Sequence, residues 1–160
     1  MIRSGIGYDV HPFAEGRDLV LGGILVPALQ GLAGHSDADV LLHAIMDALL
    51  GAAALGDIGV HFPPSDARWH GADSRDLLRR VRALLAPDWK IVNVDATVVA
   101  ETPRLGPHRD RMRAAIAEAL AIGVGQVNVK ATTNEGLGFV GRGEGIAALA
   151  IATLERREDG

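Results

Sequence analysis

Asp9-Val10-His11 sets a carboxylate and an imidazole two residues apart, in a stretch where Ile6, Tyr8 and Val10 alternate with Gly7, Asp9 and His11. On a β-strand, residues i and i+2 point to the same side, so both groups can reach one ion. Farther along, Asp39, His43 and Asp47 fall at i, i+4 and i+8, one stripe of an otherwise apolar helical pattern. If that helix faces the strand, Asp9, His11 and His43 offer one carboxylate and two imidazoles, three zinc ligands that leave a fourth tetrahedral position open. An open position serves catalysis rather than scaffolding. Asp39 or Asp47 would then orient His43 through its second ring nitrogen. The plainer account of the same residues is a partly exposed Asp and a surface His on an edge strand, with His43 satisfied between two carboxylates.

Two further segments carry chemistry. His35-Ser36 stand just before the helical pattern, so an imidazole, a hydroxyl and the free N–H groups of a helix start outline an anion site. Read blandly, Ser36 is an N-cap and His35 a loop residue. The segment Lys130-Ala131-Thr132-Thr133-Asn134-Glu135-Gly136-Leu137-Gly138 continues through Gly141, Gly143 and Gly145. Small hydroxyl residues at a strand end, followed by glycines, let backbone N–H groups approach phosphate oxygens, and Glu135 can hold a hard cation such as Mg2+. It is not a P-loop, since no Gly-Lys-Ser/Thr follows, and as bare composition it is equally a long turn.

The elements that must position these groups follow from periodicity. Residues 2–13 read as a strand ended by Pro12, and Leu19-Val20-Leu21 and Ile24-Leu25-Val26 flank Gly22-Gly23 as a tight hairpin or bulge. Ser36 and Asp39 resemble a capping box for a helix reaching about Leu55. Two Gly, two Pro and three ionisable groups make residues 56–66 a loop. Asp73 or Ser74 caps a second helix that stops at Pro87, Ile91 to Val99 is a β-branched strand, and a third helix runs from near Pro107 to Gly123. Gln126 to Thr132 is a strand, and the Ala-rich run Gly145 to Glu155 is read as one more. Strands alternating with helices predict a single α/β (α+β) domain over residues 1–160, a mixed sheet covered by helices on one face.

Composition narrows the partners. The chain has 160 residues, 48% of them hydrophobic and 22% charged, enough for one domain with its own core. Without cysteine there is no thiolate nucleophile, disulfide or Cys-type zinc finger, so a metal must be held by His and carboxylate. A net charge of -4 with no block of like charges argues against nucleic acid, and no apolar run approaches the ~18 residues of a membrane span. No basic start followed by an apolar run precedes the first glycines, so a cytoplasmic protein is expected.

Taken together, several segments resemble the 2-C-methyl-D-erythritol 2,4-cyclodiphosphate synthase family over essentially the whole chain. They are Gly7-Tyr8-Asp9-Val10-His11, His35-Ser36-Asp37-Ala38-Asp39, residues 47–59, Gly71-Ala72-Asp73-Ser74-Arg75, residues 127–133 and Gly141-Arg142-Gly143-Glu144-Gly145-Ile146. The resemblance implies an enzyme of non-mevalonate isoprenoid biosynthesis that converts 4-diphosphocytidyl-2-C-methyl-D-erythritol 2-phosphate into the cyclic diphosphate and CMP. It implies a homotrimer with active sites between subunits. By position, Asp9, His11 and His43 would bind one Zn2+ per subunit, and Glu135 would contribute to an Mg2+ or Mn2+ site. His35, Ser36 and Thr133 would steady the phosphates, His35 and Thr133 closest to the reacting atoms. Asp57, Ile58, Gly59, Phe62 and Asp66 would contact the methylerythritol part. Ala100, Pro103, Arg104, Leu105, Gly106, Ala131, Thr132 and Thr133 would cradle the cytidine from the neighbouring subunit. Tyr8, Phe139 and Arg142 would line a cavity for isoprenoid diphosphates on the threefold axis. The chain departs from the family pattern at Gly34 and Ala38, where Ala and Gly are usual, at Gly106, which replaces a bulkier residue, and at Tyr8, where Phe is familiar.

Such a reaction needs no strong base. A phosphate monoester, with a second pKa of about 6, is already largely anionic at neutral pH and attacks as it is. The protein has to bring two anions together and stabilise charge on the transferring phosphorus. Two rivals use the same residues: a non-haem Fe(II) oxygenase, since two His and one carboxylate are also its facial triad, and a non-catalytic trimeric module binding isoprenoid diphosphates through Phe139 and Arg142.

Overall fold

Strand β1 (Ile2–Ala14) opens the fold, followed by β2 (Leu19–Leu21), β3 (Ile24–Val26) and β4 (Gly31–Leu32), in a computed structural model that describes residues 1–158. Next come helix α1 (Val40–Ala53), the single turn α2 (Ile58–His61), α3 (Ser74–Leu85), β5 (Trp89–Val99) and α4 (Arg109–Leu120). The chain ends with β6 (Val127–Thr132), the turn α5 (Gly138–Gly141) and β7 (Gly145–Arg156). Five strands form one mixed sheet in the order β4-β1-β7-β5-β6: β1 and β5 flank β7 antiparallel to it, and β5 and β6 run parallel. The expected single domain with helices on a mixed sheet is what forms.

Helix α1 is the centre of the core. Leu41, Leu42, Ile45, Met46, Leu49 and Leu50 are all fully buried, and α1 lies across β1, β7 and β5. Its contact with β1 is a backbone contact. A Cβ at Gly7 would lie 1.8 Å from the Ala44 carbonyl oxygen, and one at Gly5 2.2 Å from that of Ala48. Only glycine permits that approach, and it sets Asp9 and His11, farther along the same strand face, beside His43.

Several boundaries differ from the sequence expectation. β1 does not stop at Pro12 but continues to Ala14, because Pro12 needs only its carbonyl there, accepting from the Ala33 N–H. α1 begins after Asp39, not Ser36: the Asp39 carboxylate caps it by accepting from the Leu42 N–H, while the Ser36 hydroxyl is engaged elsewhere. The outlined anion site at this helix start is therefore partly closed by Asp39 itself. Asp73 caps α3. α4 ends at Ala121 in a left-handed conformation, two residues before Gly123. The 56–66 loop contains the turn α2. Gly22 and Gly23, with φ of 63° and 77°, make the tight turn of the β2–β3 hairpin.

The face of β1 was also not the one hydropathy suggests. Gly7, Asp9 and His11 turn inward to α1, whereas Ile6 and Tyr8 are 70% and 54% exposed on the other side of the sheet. Ile151 and Leu149 of β7, directly opposite them in register, are exposed as well.

Candidate active site

Two elements deliver the candidate metal ligands: β1 carries Asp9 and His11, and the first turn of α1 carries His43. Asp9 Oδ2 lies 2.9 Å from His11 Nε2 and 3.1 Å from His43 Nδ1, and the two ring nitrogens are 3.2 Å apart. Ligand atoms around a tetrahedral ion with bonds of about 2.0–2.1 Å stand about 3.3–3.4 Å from one another, so this triangle suits one zinc-sized cation. Among the described residues it is the one group of three such side chains within 4.8 Å of each other. His11 Nδ1 donates to the Ala33 carbonyl at 2.7 Å, which leaves Nε2 with its lone pair toward the triangle. Burial opposes the charge on Asp9, but the hydrogen bonds and charges of His11 and His43 outweigh it and hold the carboxyl well below the usual carboxylate range. Burial likewise disfavours the His11 cation, and the Asp9 hydrogen bond and charge outweigh it to raise His11 above the ordinary imidazole value.

Neither Asp39 nor Asp47 orients His43. Both Asp39 carboxylate oxygens are taken by backbone: Gly22 and Gly23 N–H groups donate at 3.0 and 2.7 Å, and Leu42 N–H at 3.0 Å. Asp39 stands ahead of the helix in an extended conformation, φ -68° and ψ 90°, so the i, i+4 stripe does not include it. Asp47 accepts the Ile58 N–H at 2.9 Å and so ties α1 to the 56–66 loop; burial raises its carboxyl. The second nitrogen of His43, Nε2, instead meets Ser36 Oγ and Ser74 Oγ, each at 3.1 Å.

The triad lines a pocket of about 270 Å³ whose wall includes His35, Ser36, Met46, Ile58, Gly59, Phe62, Trp69 and Leu77. Its lining is mostly apolar with a few convergent polar groups, the usual make-up of a small-molecule site. His35 Nε2 and Trp69 Nε1 are buried with no hydrogen-bond partner among the described residues, and both belong to residues of this wall. An unmade buried hydrogen bond costs on the order of 1–3 kcal/mol, which a polar ligand group would relieve. Trp69, Met46 and Leu77 went unnoticed as site residues because Met46 and Leu77 fit the core stripes of their helices and Trp69 lies outside any motif. Asp57 and Asp66 do not line the pocket; they cap α2 and the turn at residues 67–69, and Asp66 also pairs with Arg68.

A second cleft, about 450 Å³, gathers Ala100, Glu101, Pro103, Arg104, Leu105, Gly106, Arg109, Ala131, Thr132 and Thr133. All the residues expected to meet a nucleotide are on it. Glu101 fastens its two sides, accepting from the Asn134 and Gly136 N–H groups at 2.9 and 3.3 Å. Glu135 sits on the same loop with φ of 53°, exposed, and joins no group of three metal-ligating side chains among the described residues. The two clefts share no residue. Phe139 is partly exposed, and Arg142 pairs with Glu144 at 2.8 Å.

Comparison with known proteins bears on the whole chain. The family model described as "YgbB family" matches residues 2–155. The chain belongs to the YgbB family. A 2-C-methyl-D-erythritol 2,4-cyclodiphosphate synthase of Pseudomonas aeruginosa is 60% identical over 157 residues, covering 98% of this chain and all of that one. The bifunctional IspDF of Campylobacter jejuni superposes with a TM-score of 0.94 at 41% identity, covering 99% of this chain, which spans 43% of that longer protein. IspF of Plasmodium falciparum, solved as a CDP complex, superposes with a TM-score of 0.85 at 34% identity over 98% of this chain and 97% of that one. Within this YgbB chain, Gly34 and Ala38 pack against each other: a Cβ at Gly34 would lie 2.8 Å from the Ala38 Cβ and 3.1 Å from the His11 ring. No helix of the described YgbB chain is long and apolar enough to cross a membrane.

Proposed function

We propose that this chain converts 4-diphosphocytidyl-2-C-methyl-D-erythritol 2-phosphate into 2-C-methyl-D-erythritol 2,4-cyclodiphosphate with release of CMP. The observation that carries the reading is the Asp9–His11–His43 triangle opening into a pocket, in a chain 60% identical to a protein of that name. Asp9, His11 and His43 would hold Zn2+, which supplies Lewis-acid polarisation of a phosphate oxygen. One carboxylate and two neutral imidazoles leave that site a net charge of +1, whereas three carboxylates would cancel its attraction for phosphate. His35 and Ser36 steady the phosphates. Ile58, Gly59 and Phe62 enclose the methylerythritol carbons and exclude water, with Asp57 and Asp66 shaping the loop that presents them. The 2-phosphate attacks the β-phosphorus in line, and CMP leaves with the bonding electron pair. Holding a flexible substrate bent for this attack supplies much of the acceleration.

The second cleft takes the cytidine, with Thr133 reaching the phosphates and Glu135 contributing to an Mg2+ or Mn2+ site. The two clefts are separate on one chain, which fits a site completed by a neighbouring copy in the homotrimer that the family resemblance implies. Phe139 and Arg142 then face the axis, with room for an isoprenoid diphosphate. Phosphorus NMR of the protein with substrate, Zn2+ and Mg2+ tests this: CMP and the cyclic diphosphate form, and His43→Ala stops both. Binding without turnover would favour the isoprenoid diphosphate module instead, and oxygen consumption with bound iron would favour the oxygenase.

A further inference from the structure

The partners of His43 on the side away from the triangle form a directed chain. Ser74 Oγ is 2.5 Å from Asp37 Oδ1, and the Ser74 N–H donates to Asp37 Oδ2 at 2.9 Å. A carboxylate only accepts, so the single hydroxyl proton of Ser74 is committed to Asp37. What Ser74 has left to offer His43 Nε2 at 3.1 Å is a lone pair, and Nε2 must therefore be the donor. A neutral imidazole carries one proton, and with that proton on Nε2 the Nδ1 atom turns a lone pair toward Asp9 and His11; only a second proton, making the ring cationic, lets Nδ1 donate to Asp9 Oδ2 at 3.1 Å. Ser74 is fully buried, and Asp37 is itself held by the Asp39 N–H at 3.1 Å, which keeps the chain from turning round. Ser36 Oγ, also 3.1 Å from Nε2, shares the same proton as an acceptor, which frees its own hydroxyl proton for the pocket it lines.

We infer that Asp37 and Ser74 are positioning residues that lock His43 in the Nε2-protonated tautomer, keeping Nδ1 ready to bind a metal beside Asp9 and His11. The inference rests on the metal-dependent reading given above. It gives the two imidazoles the same design by different means: a backbone carbonyl, that of Ala33, fixes His11, and a carboxylate relayed through a hydroxyl fixes His43.

The test uses the full chain freed of metal. Long-range proton–nitrogen NMR correlations, with His43 assigned by their loss in His43→Asn, report which ring nitrogen is protonated. Competition with a chromophoric chelator reports zinc affinity. The wild type should show Nε2–H. Ser74→Ala removes the acceptor and lets the Ser36 hydroxyl donate to Nε2, so the Nδ1–H form should appear and zinc affinity fall about 10–100-fold. A wild-type ring protonated on Nδ1 and not on Nε2, or zinc affinity within twofold of wild type in folded Ser74→Ala, overturns the inference. Should Ser74→Ala fail to fold by circular dichroism, the wild-type tautomer decides alone. A wild-type chain that takes up no zinc overturns the metal-dependent reading; that failure is told apart because the tautomer is read without metal.

Discussion

Asp39 and Asp9 put the same side chain to opposite uses, one bound to backbone N–H groups and the other to two imidazoles. Asp39 is fully buried and spends its carboxylate on three backbone N–H groups, joining the β2–β3 turn to the start of α1. Asp39→Ala leaves those donors buried without partners and removes a helix cap, a loss of about 3 kcal/mol. For a chain of this size the melting temperature should fall by about 6–12 °C, and a drop below about 2 °C in a thermal melt would show that Asp39 does not join these elements. The pH dependence of the metal-free protein follows from the same residues. Burial chiefly raises Asp39 from 3.8 to about 6, so its contribution to stability is complete below 3.8 and lost as pH rises through about 6. His11 is raised above 6.5 by Asp9 against its burial, so the stability from that pairing is complete below 6.5 and lost as pH rises through the folded value. Asp9, lowered, stays ionised throughout this window. Thermal melts of metal-free protein should therefore fall by about 2–5 °C per pH unit between about pH 5 and 7. Saturating zinc should reverse the slope, since protons then compete for the imidazoles; a metal-free melting temperature that rises over this range would contradict the assignment.

At the scale of elements, the closeness of β1 to α1 decides whether the triad exists. Gly7→Ala would drive a methyl group into the Ala44 carbonyl and part the strand from the helix, moving Asp9 and His11 away from His43. The expected result is a loss of at least 3 kcal/mol with zinc affinity reduced more than tenfold. Gly106→Ala, where a Cβ meets nothing within 4 Å, should change stability by less than about 0.5 kcal/mol, so measuring the two variants together separates close packing from a general cost of replacing glycine. This contact also explains what could and could not be read from sequence. Period-two alternation told which residues of β1 share a face, and the i, i+4 spacing placed His43 on a helix, so the triad itself was legible. Which face of β1 turns inward was not, because hydropathy favours burying Ile6 and Tyr8, while the inward side is chosen by glycines that only a folded helix makes useful. The partners of His43 were hidden for a similar reason: Asp37 and Ser74 lie far apart in sequence and look like loop and cap residues, and Asp39 looks like a member of the stripe although its backbone lies outside the helix.

Across the whole molecule, the apolar side of β1 and β7 has no cover among the described residues. Ile6 stands opposite Ile151, and Tyr8 opposite Leu149, so their exposed side chains form one continuous patch on a sheet face whose other side is the core. Patches of this kind mark interaction surfaces. In the homotrimer proposed above, this sheet face would pack against the neighbouring copies and bring one chain's nucleotide cleft to the next chain's triad pocket. Replacing both Ile6 and Ile151 by Glu places two carboxylates in that contact, and desolvating them costs several kcal/mol per chain. Sedimentation should find the wild type at three times the 16.8 kDa chain mass and the double variant at one. Zinc affinity should stay within about threefold, because all three ligands come from one chain, while CMP release falls more than a hundredfold because the site is split. A wild-type protein that sediments as a single chain and still turns over would place both halves of the site on one copy; a double variant that stays trimeric would move the interface off this face. The paired readout matters because lost turnover alone could come from a damaged pocket, whereas lost turnover with intact zinc binding and a smaller assembly identifies the missing neighbour as its cause.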